Sequence, residues 1–556
     1  MPKPIRAGQR YVPGLDGLRA LAVLAVIAYH LGLGWAQGGM LGVGVFFTLS
    51  GYLITDLLLG QWDATGKLRL GDFWLRRARR LLPALFVMLA VVTAWITLLD
   101  RPSLPALRGA VAAAAVYVSN WWLIAQHSSY FARFGPPSPL GHLWSLAVEE
   151  QFYLAWPWLL LLGVRWTRRR RGHHGDRAWL AALTMLLAAA SAAAMALLYH
   201  PGYDPTRVYE GTDTRAFGLL IGAALAFVWP SSRLRGDVSA GGRWFLEGTG
   251  IAGLTVIGLL IWRTSQYSPF IYPDGMILLS VATAAVVAAV ASPVTRVGRV
   301  LGWRPLRWVG VRSYGIYLWH FPIIVLTTPA ESHGSIARGA AQVAASIGVA
   351  ALSWRFVEEP VRHGAIGRWW RQLTSGGLRV TGSRAWAAMG GATAVTVVAG
   401  MGLAGAVQPA PADSTTSSSA GSPSGARALS GAPASRPAAS PHASGGERGT
   451  GSGAVPGGER GTGSGAVPSG PPLRSSCRAV VHIGDSTSEG MISPDYLPDP
   501  AQRLAAQYAR VGVTTFHAEI SGARSIYPET YRGQPNGYTV ARQLVRDGYH
   551  GCWVLA

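Results

Sequence analysis

Long apolar stretches recur from Leu15 to Val407, and they constrain the fold more than any other feature of this sequence. Each is about 17–23 residues long, which as a helix crosses about 30 Å of hydrocarbon. We predict an α-helical integral membrane bundle of about ten spans plus one extra span. The predicted spans lie near 15–33, 39–59, 82–99, 143–163, 179–199, 214–229, 245–262, 273–291, 308–328, 336–355 and 385–407.

The charge of the chain is distributed in a way that agrees with a membrane protein. Lys and Arg number 49 against 27 Asp and Glu, so the formal net charge is +22. The basic residues form short clusters between apolar stretches, which is typical of membrane proteins and argues against a nucleic-acid partner. Two cysteines exclude a Cys-rich zinc protein, so we predict no metal, and no cleavable signal peptide is visible.

The basic clusters also predict the orientation, because cytoplasmic loops are enriched in Lys and Arg. Five clusters share one side, namely 67–80, 165–171, 233–243, 296–304 and 362–379. They all face the cytoplasm only if the apolar segment 108–126 does not complete a crossing. We therefore expect a plasma-membrane protein with a cytoplasmic N-terminus and an extracytoplasmic C-terminus. Segment 108–126 would be re-entrant or half-inserted near the outer face; if it does span, another segment does not.

Ionisable residues inside the spans are the first functional candidates, because they are costly in a membrane. Arg19 and His30 are 11 residues apart in the first span. On a helix they share one face and lie about 16 Å apart along the axis. The alternative is that Arg19 reaches the membrane interface and His30 bonds to a neighbouring helix.

Four further motifs add polar residues at or near span ends. The second span is rich in small residues that favour close packing, although Ser50 could face a substrate. A tetrad at a cytoplasmic helix start (Arg76, Arg77, Arg79 and Arg80) suits a polyphosphate, or marks topology alone. His142, Ser145 and Glu149 share one helix face at a span entrance, where the adjacent carboxylates of Glu149 and Glu150 could supply acid–base chemistry or orient His30, or the run only caps the membrane edge. His142 and Ser145, with Tyr317 and His320, are candidate substrate-binding residues. Tyr317 and His320 form a polar stripe with Ser313, in a segment whose aromatic residues suit either a sugar or an interface.

We regard Arg207, Asp213, Arg215, Glu358 and Glu359 as weaker candidates that could be loop ion pairs.

Residues 408–474 differ from the membrane region. They contain no aromatic residue, are dominated by Pro, Ser, Gly and Ala, and include a repeat, Gly445–Pro456 followed by Gly457–Pro468. Such a segment cannot bury enough apolar surface to fold. We predict a disordered tether.

Residues 475–556 return to a folding composition. Predicted strands at Ala479–Ile483, Val513–Glu519 and Cys552–Ala556 alternate with helices at Ala501–Arg510 and Thr539–Asp547, which indicates a parallel α/β sheet. About 80 residues are few for that fold, so we expect an incomplete domain. Cys477 and Cys552 each precede a strand, which would place them at one sheet edge. A disulfide is expected there; two reduced core thiols are the alternative.

Taken together, residues 11–365 resemble the acyltransferase-3 family of integral membrane acyltransferases. The resemblance rests on Arg19 with His30, on the motifs GVGVFFTLSGYLIT, FWLRRARRLLP, LGHLWSLAVEEQFYL and SYGIYLWHFP, and on the segment from Arg355 to Pro360, all in the family's order. Gly44 stands where the family pattern often has Asp.

The resemblance implies transfer of an acyl group, commonly acetyl from cytosolic acetyl-CoA, to a saccharide hydroxyl at the outer face. His30 would be the catalytic base or acyl carrier, supported by Glu149, Glu150 and His320. Arg19 and the arginine tetrad would bind the donor. The acceptor would be a saccharide or lipid-linked glycan.

The last domain resembles the start of an SGNH/GDSL hydrolase-like domain. Val481 to Ser486 match the nucleophile block, with Ser486 as the nucleophile, and Gly522 could be the oxyanion-hole glycine. The family's later Asn block and Asp-x-x-His block do not follow, so we expect this domain to be hydrolytically inactive.

The sequence therefore favours a membrane O-acyltransferase acting on an envelope or secreted saccharide. We expect a membrane acyltransferase domain at 1–365, a basic segment with an additional span at 366–407, the linker at 408–474 and the SGNH-like part at 475–556. Two alternatives are a transporter of an acyl or sugar compound, suggested by buried His and Arg, and a membrane anchor for an extracellular esterase.

Overall fold

The protein is described by a computed structural model in which the chain separates into two compact units, Met1–Ala410 and Pro411–Ala556. The structure describes residues 11–126, 138–171, 176–201, 204–234, 238–266, 268–329, 335–364, 383–406, 476–484, 486–494, 496–497, 499–521, 536–549 and 551–555. The predicted linker, 408–474, and most of the basic segment that begins at 366 lie outside the described residues.

The described part of the first unit is helical throughout. Its helices are α1 Pro13–His30, α2 Gly42–Thr65, α3 Leu70–Leu99, α4 Leu104–Ala115, α5 Ser119–Ala125, α6 Trp144–Arg171, α7 Asp176–Leu198, α8 Thr206–Glu210, α9 Thr212–Val228, α10 Ala240–Arg263, α11 Asp274–Ala291, α12 Arg296–Leu301, α13 Arg304–Val311, α14 Ser313–Thr327, α15 Ile336–Ser353, α16 Glu359–Arg362 and α17 Ser383–Leu403. A π-helical turn, Trp354–Glu358, joins α15 to α16.

Membrane-crossing length and hydropathy are found at most of the predicted spans. Within the described residues seven segments qualify: Gly39–Thr65, Leu70–Leu99, Arg177–Leu198, Thr212–Arg233, Ala240–Arg263, Asp274–Ala291 and Ile336–Arg362. The pair α13 and α14, bent by 68°, would be an eighth. The remaining three predicted spans coincide with α1, α6 and α17. Charged residues interrupt α1 and α6, which lowers their hydropathy, and the apolar part described for α17 is Gly391–Leu403.

The doubtful segment 108–126 is not one helix. It is divided between α4 and α5 at Tyr117, whose φ of +56° interrupts the helical path. The 12 residues of α4 rise about 18 Å, which is too short to cross the hydrocarbon core. Gln151 of α6 donates to the carbonyl of Tyr117 at 2.9 Å and to the Asn120 side chain at 3.0 Å. This segment is therefore a broken helix pair anchored to α6. That it does not cross the membrane stays a prediction.

Close backbone packing holds α2 against α9, as the small residues of the second span predicted. A Cβ atom on Gly51 of α2 would lie 1.8 Å from the carbonyl oxygen of Leu219. A Cβ atom on Gly222 of α9 would lie 1.9 Å from the carbonyl oxygen of Thr48. The two helices approach so closely that only glycine fits at either point.

Helix α17 packs on α3 near its C-terminal end. Gly402 lies against Thr97 of α3, and its carbonyl accepts a hydrogen bond from Arg108 Nε of α4 at 3.0 Å. A cation at the C-terminus of a helix satisfies a terminal carbonyl and complements the helix dipole. Helix α17, which was predicted as an additional span, is thus part of the first unit rather than an unattached helix.

The second unit contains the predicted parallel sheet. Strands β1 Ala479–Gly484, β2 Thr515–Ile520 and β3 Cys552–Leu555 lie in the order β2-β1-β3, all parallel. Helices α18 Ser486–Gly490, α19 Leu504–Arg510 and α20 Gly537–Arg546 connect them. The structure joins Cys477 and Cys552 in a disulfide, with Cα atoms 6.0 Å apart, at the end of the sheet where β1 and β3 begin.

Candidate active site

Three histidines from separate elements meet inside the first unit. His30 is the last residue of α1, His142 precedes α6, and His320 lies in α14. The rings of His30 and His320 have centroids 5.0 Å apart, and those of His142 and His320 are 5.6 Å apart. His142 and His320 are fully buried, whereas His30 is half-buried. The site therefore combines residues 290 positions apart in the sequence.

The hydrogen bonds of this cluster assign the position of each proton. Nδ1 of His320 lies 2.6 Å from the carbonyl oxygen of Tyr317, which can only accept, so Nδ1 carries the proton. In a neutral ring Nε2 of His320 is then an acceptor, and the group 3.0 Å from it is Nδ1 of His30. His30 must donate through Nδ1, which places its basic lone pair on Nε2. The arrangement holds His30 in the tautomer that a general base requires.

His142, Ser145 and Tyr317 support the cluster. His142 Nε2 donates to the carbonyl of Leu318 at 3.2 Å, and the Tyr317 hydroxyl donates to the carbonyl of His142 at 3.0 Å. The hydroxyls of Ser145 and Tyr317 are 2.5 Å apart, and both residues are buried. These bonds connect the start of α6 to α14. His142, Ser145 and Tyr317, which were predicted to bind substrate, therefore pack around His320 and hold its helix in place.

Arg19 lies on the same helix as His30 but belongs to a second polar cluster. Its Nε donates to the Ser313 hydroxyl at 3.1 Å, and its guanidinium carbon lies 6.0 Å from the ring of Phe46. Ser313 is fully buried and begins α14, the helix that also carries His320. One pair of helices thus positions both ends of the predicted Arg–His axis.

The carboxylates of α6 lie with arginine rather than with the histidines. Glu149 accepts hydrogen bonds from the hydroxyls of Ser50 and Tyr153. The guanidinium carbon of Arg77 lies 3.9 Å from the Tyr153 ring centroid, and Glu149 and Glu150 lie within its electrostatic range. Ser50, predicted as a substrate residue, therefore orients a carboxylate, and both glutamates lie close to Arg77.

The arginine tetrad divides into two pairs. Arg76 and Arg79 are exposed, whereas Arg77 and Arg80 are half-buried beside the glutamates. Arg80 lies within electrostatic range of Arg19, Arg77 and Arg362. The Nε atom of Arg77 is buried with no hydrogen-bond partner among the described residues. A bound polyphosphate would neutralise this concentration of half-buried positive charge.

The sequence did not distinguish the weaker candidates by their burial. Glu358, regarded as a weak candidate, is 8% exposed and lies within electrostatic range of Arg80 and Arg312. Arg207 and Asp213 form the expected surface ion pair, with two hydrogen bonds of 3.0 and 2.8 Å. Arg215 instead is buried, at 2% exposure. Local sequence gave no signal that separates Arg215 from Arg207.

The SGNH-like residues are described only in part. Ser486 begins α18, and Asp485 and Gly522 lie outside the described residues. In the preceding strand His482 is buried and bonds through Nε2 to the Ser488 hydroxyl and through Nδ1 to the Tyr508 hydroxyl, each at 2.9 Å. Burial lowers the pKa of His482. Ser488 is 1% exposed, so this pair anchors α18 to β1 instead of presenting a nucleophile.

Comparison with known proteins gives the family. The model of a family described as "Acyltransferase domain", acyltransferase-3, matches residues 12–357. The chain is 48% identical over 356 residues to "Putative peptidoglycan O-acetyltransferase YrhL" of Bacillus subtilis, covering 64% of this chain and 55% of that protein. It is 47% identical over 364 residues to "Peptidoglycan O-acetyltransferase OatA" of Listeria monocytogenes, covering 65% and 57%. These matches thus span little more than half the length of either relative. No solved structure matches the chain. Because the family model covers more than half of it, this chain belongs to the acyltransferase-3 family.

Proposed function

We propose that this protein is a plasma-membrane O-acyltransferase that moves an acyl group, most simply acetyl, from cytosolic acyl-CoA to a hydroxyl of an envelope saccharide. The names of the two relatives specify peptidoglycan as their acceptor, and we propose a glycan of that class here. The N-terminus would be cytoplasmic and the second unit extracytoplasmic, as the basic clusters indicate.

One observation supports this proposal above the others, namely the chain of hydrogen bonds from Tyr317 through His320 to His30. A saccharide hydroxyl is a poor nucleophile until a base accepts its proton. Nε2 of His30 is the atom that the assigned tautomer makes basic. His320, held by its own backbone contact, would stabilise the positive charge that His30 gains.

The acyl transfer proceeds in two steps, with His30 as the group that accepts and returns the proton. The acceptor oxygen attacks the thioester carbonyl while its proton passes to Nε2 of His30. The tetrahedral intermediate collapses with cleavage of the carbon–sulfur bond, and the departing thiolate takes the proton back from His30. The products are an acyl ester on the saccharide and free CoA. In the alternative route, Nε2 of His30 would itself attack the thioester and displace the thiolate, and the acyl–nitrogen bond would break when the saccharide oxygen takes the acyl group and its proton passes to the thiolate.

The donor would be bound by the second cluster. Arg19, Arg77 and Arg80 concentrate positive charge on the side that the basic clusters assign to the cytoplasm. Arg19 and His30 are about 16 Å apart along α1. A donor whose phosphates lie at the arginines could extend its thioester towards His30, so that the donor and the acceptor approach from opposite faces.

We further propose the domain map of a membrane acyltransferase domain at 1–365, a basic segment and extra span at 366–407, a tether at 408–474 and an SGNH-like part at 475–556. In this map the tether carries the second unit at the outer face. Ser486 and Gly522 would be its nucleophile and oxyanion-hole positions. The membrane domain would transfer the acyl group without them.

The sidedness of the reaction tests this proposal. Membrane vesicles that contain the full chain are prepared in both orientations and supplied with acetyl-labelled acetyl-CoA on the outside only. We expect acetylated glycan from inside-out vesicles, which expose the cytoplasmic face, and none from sealed right-side-out vesicles. Equal labelling of glycan in both orientations would contradict a cytosolic donor site.

A further inference from the structure

Arg215 is a buried arginine that the proposed reaction does not use. It lies in the first turn of α9, and its guanidinium carbon is 5.5 Å from the ring of Phe47 and 5.0 Å from the ring of Tyr209. Its NH1 atom contacts the sulfur of Met276. Its Nε atom is buried and has no hydrogen-bond partner among the described residues.

The charge of Arg215 is not compensated by the carboxylates nearby in the sequence. Asp213 is bound by Arg207, with an N–O distance of 2.8 Å. Glu210 is fully buried, and the charged group within its electrostatic range is Asp204. The ionisable groups that act on Arg215 are the hydroxyls of Tyr209 and Tyr272. A buried cation without a counter-charge is costly, and inside a membrane protein it indicates function.

A glycine faces this guanidinium across a small pocket. The pocket is lined by Gly44, Phe47, Arg215, Phe217, Gly218, Met276, Leu279 and Ser280. A Cβ atom on Gly44 would lie 3.8 Å from NH2 of Arg215 and 2.6 Å from the Cδ2 methyl of Leu279. The chain therefore supplies no side chain at the point opposite the cation.

Aromatic residues connect Arg215 to the histidine cluster. The Tyr209 ring lies 4.7 Å from that of Trp144, and Tyr209 is within electrostatic range of Tyr29 and Tyr317. Tyr29 adjoins His30, with ring centroids 5.1 Å apart. Tyr209 thus neighbours both Arg215 and aromatic residues beside the proposed base.

We propose that Arg215 binds a carboxylate of the saccharide acceptor and so selects acidic glycans for acylation. This inference rests on the proposed function and specifies its substrate class. A guanidinium pairs with a carboxylate through two parallel hydrogen bonds. The gap beside Gly44 has no room for a water molecule in this structure, so a carboxylate would bind there only after the Leu279 side chain moves aside. The acceptor hydroxyl would then approach His30 while the acidic group lies at Arg215.

The test compares glycan fragments from the cell envelope before and after conversion of their carboxylates to amides. Full-length protein in detergent, which exposes both faces, is assayed with acetyl-CoA and each acceptor. We expect the untreated glycan to have the lower KM. Arg215→Gln should raise that KM by about tenfold or more, the value for the loss of about 1.4 kcal/mol of binding. It should leave the KM of the amidated glycan and of acetyl-CoA unchanged. The control Arg263→Gln, which changes an exposed arginine at the end of α10, should leave all three KM values unchanged.

A second variant guards against a folding defect in Arg215→Gln. Gly44→Asp would place a carboxylate opposite Arg215, at the cost of moving only the tip of Leu279. We expect it to keep the thermal stability of the wild type and to abolish the preference for untreated glycan. Equal loss of activity towards both glycans in Arg215→Gln, or an unchanged preference in Gly44→Asp, would overturn the inference.

Binding measured without donor separates this inference from the proposed function. Equilibrium dialysis of labelled untreated glycan should show weaker binding to Arg215→Gln than to the wild type, whether or not acyl transfer is observed. Binding that depends on phosphate groups of the fragments, and not on their carboxylates, would overturn the inference and leave the acyltransferase proposal standing. Failure of transfer with normal Arg215-dependent binding would overturn the acyltransferase proposal alone.

Discussion

In the proposed reaction His320 does not contact the reacting atoms. It orients the ring of His30. Its Nε2 accepts the proton of His30 Nδ1 at 3.0 Å. We predict that His320→Ala lowers kcat by about 10²-fold, the lower end of the range for general-base catalysis, with little change in either KM. His320→Gln keeps an acceptor oxygen and should retain more activity. Steady-state kinetics in vesicles give the comparison, and equal loss in the two variants would contradict the orienting role.

Ser313 is predicted to affect donor binding through Arg19. Its hydroxyl accepts from Arg19 Nε at 3.1 Å, and a hydrogen bond to a charged group contributes about 1.5–3 kcal/mol. Ser313→Ala should therefore raise the KM for acetyl-CoA by about tenfold or more, while the KM for the glycan stays constant. A rise in the glycan KM instead would assign Arg19 to the acceptor.

Sequence reasoning named these residues, but it could not predict all of their contacts, for a physical reason. Arg19 and His30 lie on one helix, so a spacing of 11 residues sufficed to place them on one face. Ser313 is 294 residues from Arg19, and no local pattern connects them. The burial of Arg215 depends on α2 and α11, so it too could not be predicted from the sequence of α9.

At the scale of the elements, the stability of the first unit depends on close contacts between α2 and α9. Gly51 and Gly60 both lie in α2, but a Cβ atom on Gly51 would meet the backbone of Leu219, whereas on Gly60 it meets nothing within 4 Å. We predict that Gly51→Ala destabilises the first unit by about 1–3 kcal/mol through overpacking. Gly60→Ala, the matched control, should be neutral or stabilising because alanine favours helix.

Thermal unfolding in detergent measures this difference. The Gly51→Ala variant should unfold at a lower temperature than the wild type, and the Gly60→Ala variant should not. Equal midpoints for the two variants would show that the α2–α9 interface can adjust, and would contradict the close approach described here.

In the second unit the sheet is stabilised by a link that the sequence also indicated. The disulfide joins cysteines separated by 75 residues, and such a link stabilises a small domain by about 2–5 kcal/mol. We predict that Cys477→Ser with Cys552→Ser makes residues 476–555 sensitive to protease in right-side-out vesicles. Unchanged protection of this unit would mean that its core, Val481, Ile483 and Val540, suffices alone.

At the scale of the whole molecule, the first unit assembles two polar clusters, each from residues that are far apart in the sequence. The sequence indicated the helices, the basic clusters and the parallel sheet, because each depends on local composition and period. It could not indicate how α1 and α14 meet, since that depends on long-range packing. The contact between α1 and α14 places the arginine cluster at one end of α1 and the histidine cluster at the other end. A transporter and an acyltransferase would both need a path between these ends, but only the acyltransferase would also need a base such as His30.

The most direct test of this account is acyl transfer by His30→Ala. Inside-out vesicles with labelled acetyl-CoA are compared for wild type, His30→Ala and the control His363→Ala, whose side chain is 64% exposed. We predict labelled glycan from the wild type and the control, and at least about a 10²-fold lower rate from His30→Ala, at equal protein level and stability. Normal transfer by His30→Ala would contradict the central claim that His30 is the base.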